Sequence, residues 1–552
     1  TNKRAGSAAT SIALPTSPKT RSNLNAVMFR FMPQPQPLVR QSSPGIHDLS
    51  KFTIREFPPR TLQAQKPSMQ RIRSFIALGV SFLLLATLPL AAAAPVALLV
   101  KNAQLITVDP AQPSAFAGWF SVDAEGRISG LGPGSPPSDL APEETFDAAG
   151  RIVAPGFISA HSHIYMSPVR GVGYDSTLYG WGSALGPFLS RVTSDDIYWF
   201  TLHGALDFLR NGITTCYDFT HSGVKRYPAV GLNEKVPYDE PRPGPYEENQ
   251  IRAKNDAGLR FVNSVGLPRV GPTEVTRARF ESVLEYFNEF ATTHPLAMKM
   301  AISGGVQRAP DISAAYLEAA LMKDHGLLNQ SHFLESPERV PEQQAKFEWY
   351  EAAGALGPQL IFGHFIQVND DIVARAAASG SRMCWQPTSN GRLASGIPDV
   401  RGYLDAGIPV GVGLDDQSCT DISDPWQNLR IGMYTQRALH SDAAAMPIGE
   451  MLFLHTLGSA QILDIDDDVG SLAVGKYADF LVVDPRDPDT GPVHDILATY
   501  VLACGLRNLD LVYVAGRRVA NDTTMLSYDE SVVRREIDTR MDRIKDDIAS
   551  DL

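Results

Sequence analysis

Cysteine is scarce in this chain. There are four in 552 residues (Cys216, Cys384, Cys419 and Cys504), far apart and with no CxxC pair. A disulfide framework and a cysteine-built zinc site are therefore excluded as organising devices. Basic charge is also short: 49 Lys and Arg stand against 61 Asp and Glu, giving a net charge of −12 and a pI near 5.5. No nucleic-acid or anionic-membrane partner is expected from that balance. One apolar run, residues 75–90, is only just too short to cross a bilayer. It follows Met69, Arg71 and Arg73 and runs into Ala91-Ala92-Ala93-Ala94-Pro95. A basic start, an apolar middle and a small-residue end make residues 69–94 a signal peptide, cleaved near Ala94. The mature chain is then exported, periplasmic or secreted, with no stable membrane span; an uncleaved run would anchor it in the membrane. Residues 1–68, rich in Ser, Pro, Arg and Gln, read as a disordered or non-native leader upstream of a start at Met69.

What is present is alternation. Residues 96–108, 118–122 and 127–131 read as short strands separated by Gly and Pro turns. The pattern returns at 478–484, 509–514 and 517–519. Residues 95–151 and 465–525 are expected to meet as one small composite β-sandwich. Between them, over 152–464, helix-like and strand-like segments alternate. Thr193-Ser194-Asp195-Asp196 offers N-caps, and Ile197, Phe200, Leu202, Leu206 and Leu209 form an apolar face. Asn211-Gly212 then ends the helix ahead of a strand at 213–219. Helices at 341–355, 371–379 and 400–406 lead to strands at 360–364, 383–385 and 408–414. The fold class expected is α/β, a (β/α)8 TIM-type barrel carrying the composite sandwich. Residues 221–250, with Pro237, Pro241, Pro243 and Pro245, read as a long loop of the kind that serves as a lid. Val533, Ile537, Met541, Ile544 and Ile548 form a helical stripe in a C-terminal helix within 526–552.

The chemistry-bearing residues lie where barrel strands end. Ile152-Val153-Ala154 leads through Pro155-Gly156-Phe157 to His161-Ser162-His163, whose two imidazoles share a strand face and suit one divalent metal. His332 and Glu335 follow in Ser331-His332-Phe333-Leu334-Glu335, His364 closes an apolar run, and Asp415 closes Val410-Gly411-Val412-Gly413-Leu414. Glycines there keep the backbone tight. His203, His294, His325, His440 and His455 read as structural or surface histidines.

The order His-x-His, His-x-x-Glu, His, Asp resembles the metal-dependent amidohydrolase superfamily. Pro155-Gly156-Phe157, Arg170-Gly171, Pro387-Thr388-Ser389-Asn390 and the run 470–479 are similar to its branch of amino-heterocycle deaminases and chlorohydrolases. The stretch 163–181 is most similar to deaminases of S-adenosylhomocysteine and methylthioadenosine. The resemblance implies that His161, His163, His332 and Asp415 hold one divalent metal ion, zinc first, with Fe2+ or Mn2+ compatible with the same donors. It implies a metal-dependent hydrolase of non-peptide carbon–nitrogen bonds that deaminates a small-molecule amino-heterocycle. The attacking species is water whose pKa the metal lowers to about 7. Glu335, His364 and Asp415 are the implied catalytic groups, moving protons between water, ring nitrogen and leaving ammonia. Asp416 competes with Asp415 for the metal, and the frame Gly413-Leu414-Asp415 favours Asp415. Glu335 could instead cap a helix beginning near Pro337. Trp181, Ser389 and Asn390 are candidate substrate contacts, with Tyr165 and Tyr174 able to stack on a flat ring. A homo-oligomer is implied by the same resemblance. Alternatives are hydrolysis of an amide, a carbamate or a ring halide on the same site, or a non-catalytic exported binding protein. The run Gly304-Gly305-Val306-Gln307-Arg308 matches no substrate signature of the family.

Overall fold

The computed structural model describes residues 95–222, 224–225, 240–241, 244–267, 273–488, 490–522 and 524–551. The leader and signal-peptide readings lie outside the described residues, as does most of the 221–250 loop. Among the described residues no helix is long and apolar enough to cross a membrane.

Eight parallel strands form the central sheet: β1 (Phe157–Ser162), β2 (Ile213–Phe219), β3 (Arg260–Gly266), β4 (Ala297–Gly304), β5 (Leu328–Phe333), β6 (Leu360–His364), β7 (Arg382–Trp385) and β8 (Val410–Val412). Each pairs with the next in chain order. The last meets the first through a parallel bridge between Ser162 and Asp415, with Asp415 N donating to His161 O at 2.9 Å. Helices link the strands, which gives the (β/α) barrel. The helix Ser194–Arg210 shows why: Thr193 caps the backbone of Asp196 while Asp196 returns a bond to Thr193. Its apolar stripe then packs into the large cluster between helices and strands.

A nine-stranded mixed sheet flanks the barrel, built from segments on either side of it. Phe480–Val483 runs antiparallel to Ile152–Pro155, with Leu481 opposite Ala154. Alternation sorts these strands between two cores. Val153, Phe480, Val482, Leu511 and Tyr513 join a cluster private to the sheet. Ile152, Ala154, Leu481, Val483 and Val512 join the barrel's outer core. At about 1.5–3 kcal/mol per large apolar side chain buried, the second set ties the sheet to the barrel.

Three local readings differ from the sequence expectation. The run from Ile152 to His161 is not one strand. It breaks at Gly156, where a Cβ would lie 2.1 Å from Thr214 Oγ1, and Ile152–Pro155 belongs to the flanking sheet. The helix expected over 341–355 is two pieces, Val340–Ala345 and Phe347–Ala352. Within the expected 221–250 loop, a helix already starts at Tyr246. The C-terminal stripe lies on the helix Glu530–Ser550; its Val533, Ile537, Met541 and Ile544 are buried, and Arg540 and Arg543 pair with Asp196.

Candidate metal centre

The donors come from the C-terminal ends of three strands, and sterics decide where they sit. β1 carries an extra residue between Ser159 and Ser162 relative to β2, a bulge of the kind that re-aims side chains. Ser159 Oγ fixes it by donating to His161 O at 3.0 Å. The His161 ring fits because its neighbours lack side chains. A Cβ at Gly413 would lie 2.6 Å from His161 Cβ, and one at Gly363 3.0 Å from the imidazole. His364 and Asp415 both have left-handed backbones, with φ of 67° and 68°. Such strain in non-glycine residues clusters at functional sites.

The side chains converge. His161 Nε2 and His163 Nε2 lie 3.1 and 3.0 Å from His332 Nε2, and 3.7 and 3.6 Å from Asp415 Oδ1. Four donors about 2.1 Å from a tetrahedral cation would stand about 3.4 Å apart; His161, His163 and Asp415 bring their ligand atoms within 4.8 Å of one another, as do His161, His332 and His364, so a zinc-like ion fits among them. The protonation states fit as well. Gln330 Nε2 donates to Ala160 O at 2.9 Å, which turns its Oε1 to His161 Nδ1. That ring nitrogen then carries the proton, and Nε2 is bare. Burial and the neighbouring rings hold His161 and His332 well below the usual histidine range, so both imidazoles are neutral, the form a metal takes. Burial and the adjacent Asp416 push Asp415 up to about 7; a divalent cation acts in the opposite direction.

Beside the donors stand two polar groups with unfilled valences. His364 Nδ1 donates to Asn390 Oδ1 at 2.8 Å, while its Nε2 is buried and has no hydrogen-bond partner. Glu335 is 2 % exposed, and its Oε2 is likewise without a partner. Its other oxygen is 3.6 Å from His364 Nε2. Burial raises the Glu335 carboxyl to about 7 against the pull of Arg308. Glu335 caps no helix: the next one starts at Val340.

The structure therefore brings His161, His163, His332, Glu335, His364 and Asp415 together. Asp416 is engaged elsewhere. Its Oδ1 accepts from Ser418 N at 2.6 Å and from Cys419 N at 2.9 Å, which makes it the anchor of a turn. Of the candidate substrate contacts, Trp181 lines a cavity of about 120 Å³ over the donors, its Nε1 donating to Ser418 O. Tyr165 lines it too, whereas Tyr174 is exposed and outside it. Ser389 and Asn390 lie buried in the short helix Pro387–Arg392. Ser389 Oγ donates to Asp415 Oδ2 at 2.6 Å and Asn390 holds His364, so both orient other groups. His455 is buried and His203 half-buried; they bond to Ile158 O and to Ser167 Oγ.

Sequence reasoning missed three residues here. Gln330 sits two positions before His332 on the same strand face, and that spacing was the available signal. Asp218 and Lys254 form a fully buried pair at 2.6 Å, and Asp218 Oδ1 accepts from Ile164 N, the residue after His163. No local motif marks that pair. A separate recess near Arg430 and Cys504 is lined by none of the donors.

A sequence model of the amidohydrolase family matches residues 152–519. The 5-methylthioadenosine/S-adenosylhomocysteine deaminase of Desulforudis audaxviator is 28 % identical over 457 residues, covering 81 % of this chain and 99 % of that protein. The enzyme of that name from Symbiobacterium thermophilum is 28 % identical over 407 residues, covering 72 % and 87 %. Among solved structures, a zinc-bound adenosine deaminase from Xanthomonas campestris superposes with a TM-score of 0.71 at 20 % identity, over 82 % of this chain and 99 % of that one. The zinc complex of atrazine chlorohydrolase from Arthrobacter aurescens gives 0.70 at 19 % identity, over 80 % and 99 %. At these identities the two structures speak for the fold.

Proposed function

The chain belongs to the amidohydrolase family, and on that premise we propose that it hydrolytically removes an amino group from an amino-substituted heterocycle. One divalent metal, zinc first, would be held by His161, His163, His332 and Asp415. When bound, the metal supplies Lewis acidity and water acidified toward neutrality.

The chain's own residues account for the proton traffic. Water adds to the carbon bearing the amine, and ammonia leaves as the carbonyl forms. Glu335, with a carboxyl near pH 7, takes a proton from water and returns it to the adjacent ring nitrogen. His364, its tautomer set by Asn390, presents a bare Nε2 that orients the attacking oxygen by accepting its hydrogen. Asp415, steadied by Ser389, receives the second proton and delivers it to the departing amine. Trp181 and Tyr165 offer flat apolar surface to the ring and exclude bulk water.

The observation that carries this reading is the unpartnered Glu335 Oε2 within the cavity that also holds the converging imidazoles. A pure binder has no use for a proton carrier of neutral pKa there. The deciding experiment pairs metal analysis with release assays over purines, pterins, pyrimidines and triazines. Ammonia from one ring class is the expected result. Chloride release alone would move the reading to a ring dehalogenase, and a metal-free, inert protein would move it to a binder. Export rests on the sequence of residues 69–94 and is tested by the N-terminal sequence of the protein recovered outside the cytoplasm.

A further inference from the structure

The turn that follows β4 is held unusually firmly. Gly305 N donates to Glu318 Oε1 at 2.7 Å, and Asn329 Nδ2 donates to the other oxygen of Glu318 at 2.8 Å. Lys346 Nζ donates to both Gln307 O and Ala309 O at 2.9 Å. Glu318 and Lys346 are themselves buried. A Cβ at Gly304 would lie 2.7 Å from Asn329 Oδ1 and 2.9 Å from Glu318 Oε2, so the backbone has no slack. Two buried ionisable side chains thus fix one short 3-10 turn, Val306–Arg308.

The side chain on that turn breaks the pattern. Gln307 is 4 % exposed, and neither its Oε1 nor its Nε2 has a hydrogen-bond partner. It lines the cavity that also contains His332, Glu335 and Asp415. Leaving both ends of a buried carboxamide unpaired is unfavourable. A rigid support under it means that the cost is not relieved by local rearrangement. A ligand that supplies one acceptor and one donor relieves it.

We propose that Gln307 is a specificity-determining residue that pairs with the substrate through both ends of its carboxamide. This rests on the deaminase reading for the identity of the reacting centre. Nε2 donates to a ring nitrogen that Glu335 does not serve, and Oε1 accepts from an N–H close to it. A carboxamide reads the N7 and N6 edge of adenine in this bidentate way. The substrate class selected is therefore a fused amino-heterocycle with an acceptor nitrogen near its exocyclic amine, an aminopurine rather than a simple aminopyrimidine. Arg308, on the same turn and lining the same cavity, adds positive charge near Glu335 and favours a substituent that is not cationic.

The test is calorimetric binding of adenosine, 7-deazaadenosine and 2-aminopyrimidine to the zinc-loaded full chain in a Glu335→Gln background, where the amine is not consumed. Adenosine is expected to bind about 10- to 100-fold more tightly than 7-deazaadenosine. Gln307→Met, close in shape and without polar ends, is expected to erase that difference by weakening adenosine alone. Gln307→Glu, which loses the donor, is expected to bind adenosine as weakly as Gln307→Met does. Zinc content and melting temperature are expected to stay with the parent, which separates recognition from folding. Equal adenosine affinity in parent and Gln307→Met, or no ring bound by either, overturns the proposal. Ammonia release by the unmodified chain is scored separately. Gln307-dependent binding without any release overturns the deaminase reading alone, and release indifferent to Gln307 overturns this inference alone.

Discussion

The barrel buries ionisable side chains at both of its ends and treats them in opposite ways. At the strand starts, Arg260 opens β3 with its guanidinium wholly buried against Asp479, Nε to Oδ2 at 2.8 Å and Nη2 to Oδ1 at 3.0 Å. The same guanidinium lies 4.0 Å over the Tyr477 ring, and Asp479 also accepts from Ala515 N. At the strand ends, His364 Nε2 and Glu335 Oε2 are buried with nothing to bond. Both arrangements cost desolvation. One returns it as a fixed junction between barrel and sheet, and the other leaves it open to a cation and a substrate. Unfilled hydrogen-bonding capacity, rather than buried charge as such, marks the working end.

Substitutions should separate the two ends. The largest loss is expected from Asp415→Asn, which removes the only anionic donor. Metal per chain falls at least about tenfold and turnover disappears with it, by metal analysis and ammonia assay. Next comes Glu335→Gln, which keeps metal and lowers kcat by about 100- to 10,000-fold. A metal-loaded variant of near-normal turnover would remove Glu335 from the chemistry. Gln330→Leu frees the His161 tautomer, and a drop of about 10- to 100-fold in metal affinity is expected by competition with a chelator. Arg260→Met belongs to the other end. It strands Asp479 and costs about 3–5 kcal/mol of stability by denaturant titration, while kcat per folded molecule stays near that of the parent. Loss of kcat there would break the contrast between the ends.

The smallest effect concerns Glu318, buried behind the β4 turn with its carboxyl raised to about 7 by burial. It binds its proton more tightly in the folded chain than in the unfolded one, where it titrates near 4.5. Its contribution to stability is therefore full below about 4.5 and is lost as the pH rises through about 7. Glu318→Gln should flatten the melting-temperature profile across that window.

The chain's wording exposed what repeats locally. His161 and His163, His364 and Asp415 each follow a recognisable apolar run, and His332 and Glu335 complete the order that the family resemblance supplies, so their meeting in one place could be anticipated. Helix Ser194–Arg210 announced itself through its cap and its stripe. The split at Gly156 did not, because the cause is Thr214, nearly sixty positions on, filling the space of a side chain. Ser389 and Asn390 were legible as special but not in role, since their bonds to Asp415 and His364 depend on how β6, β7 and β8 stack. Gln307, Lys254 and Asp218 are ordinary residues on ordinary periodic faces. Only burial shows that the first lacks what the other two provide for each other.

The main-chain hydrogen bond from Asp415 N to His161 O has a consequence for assembly. Two ligands separated by most of the barrel are brought side by side by main chain alone, and closing a loop of that length costs roughly 5 kcal/mol in chain entropy. That ordering is carried by main chain rather than by the donors' side chains. Unlike small zinc modules that collapse around their metal, this scaffold is expected to stand empty and take up its ion late, as a guest in a finished room.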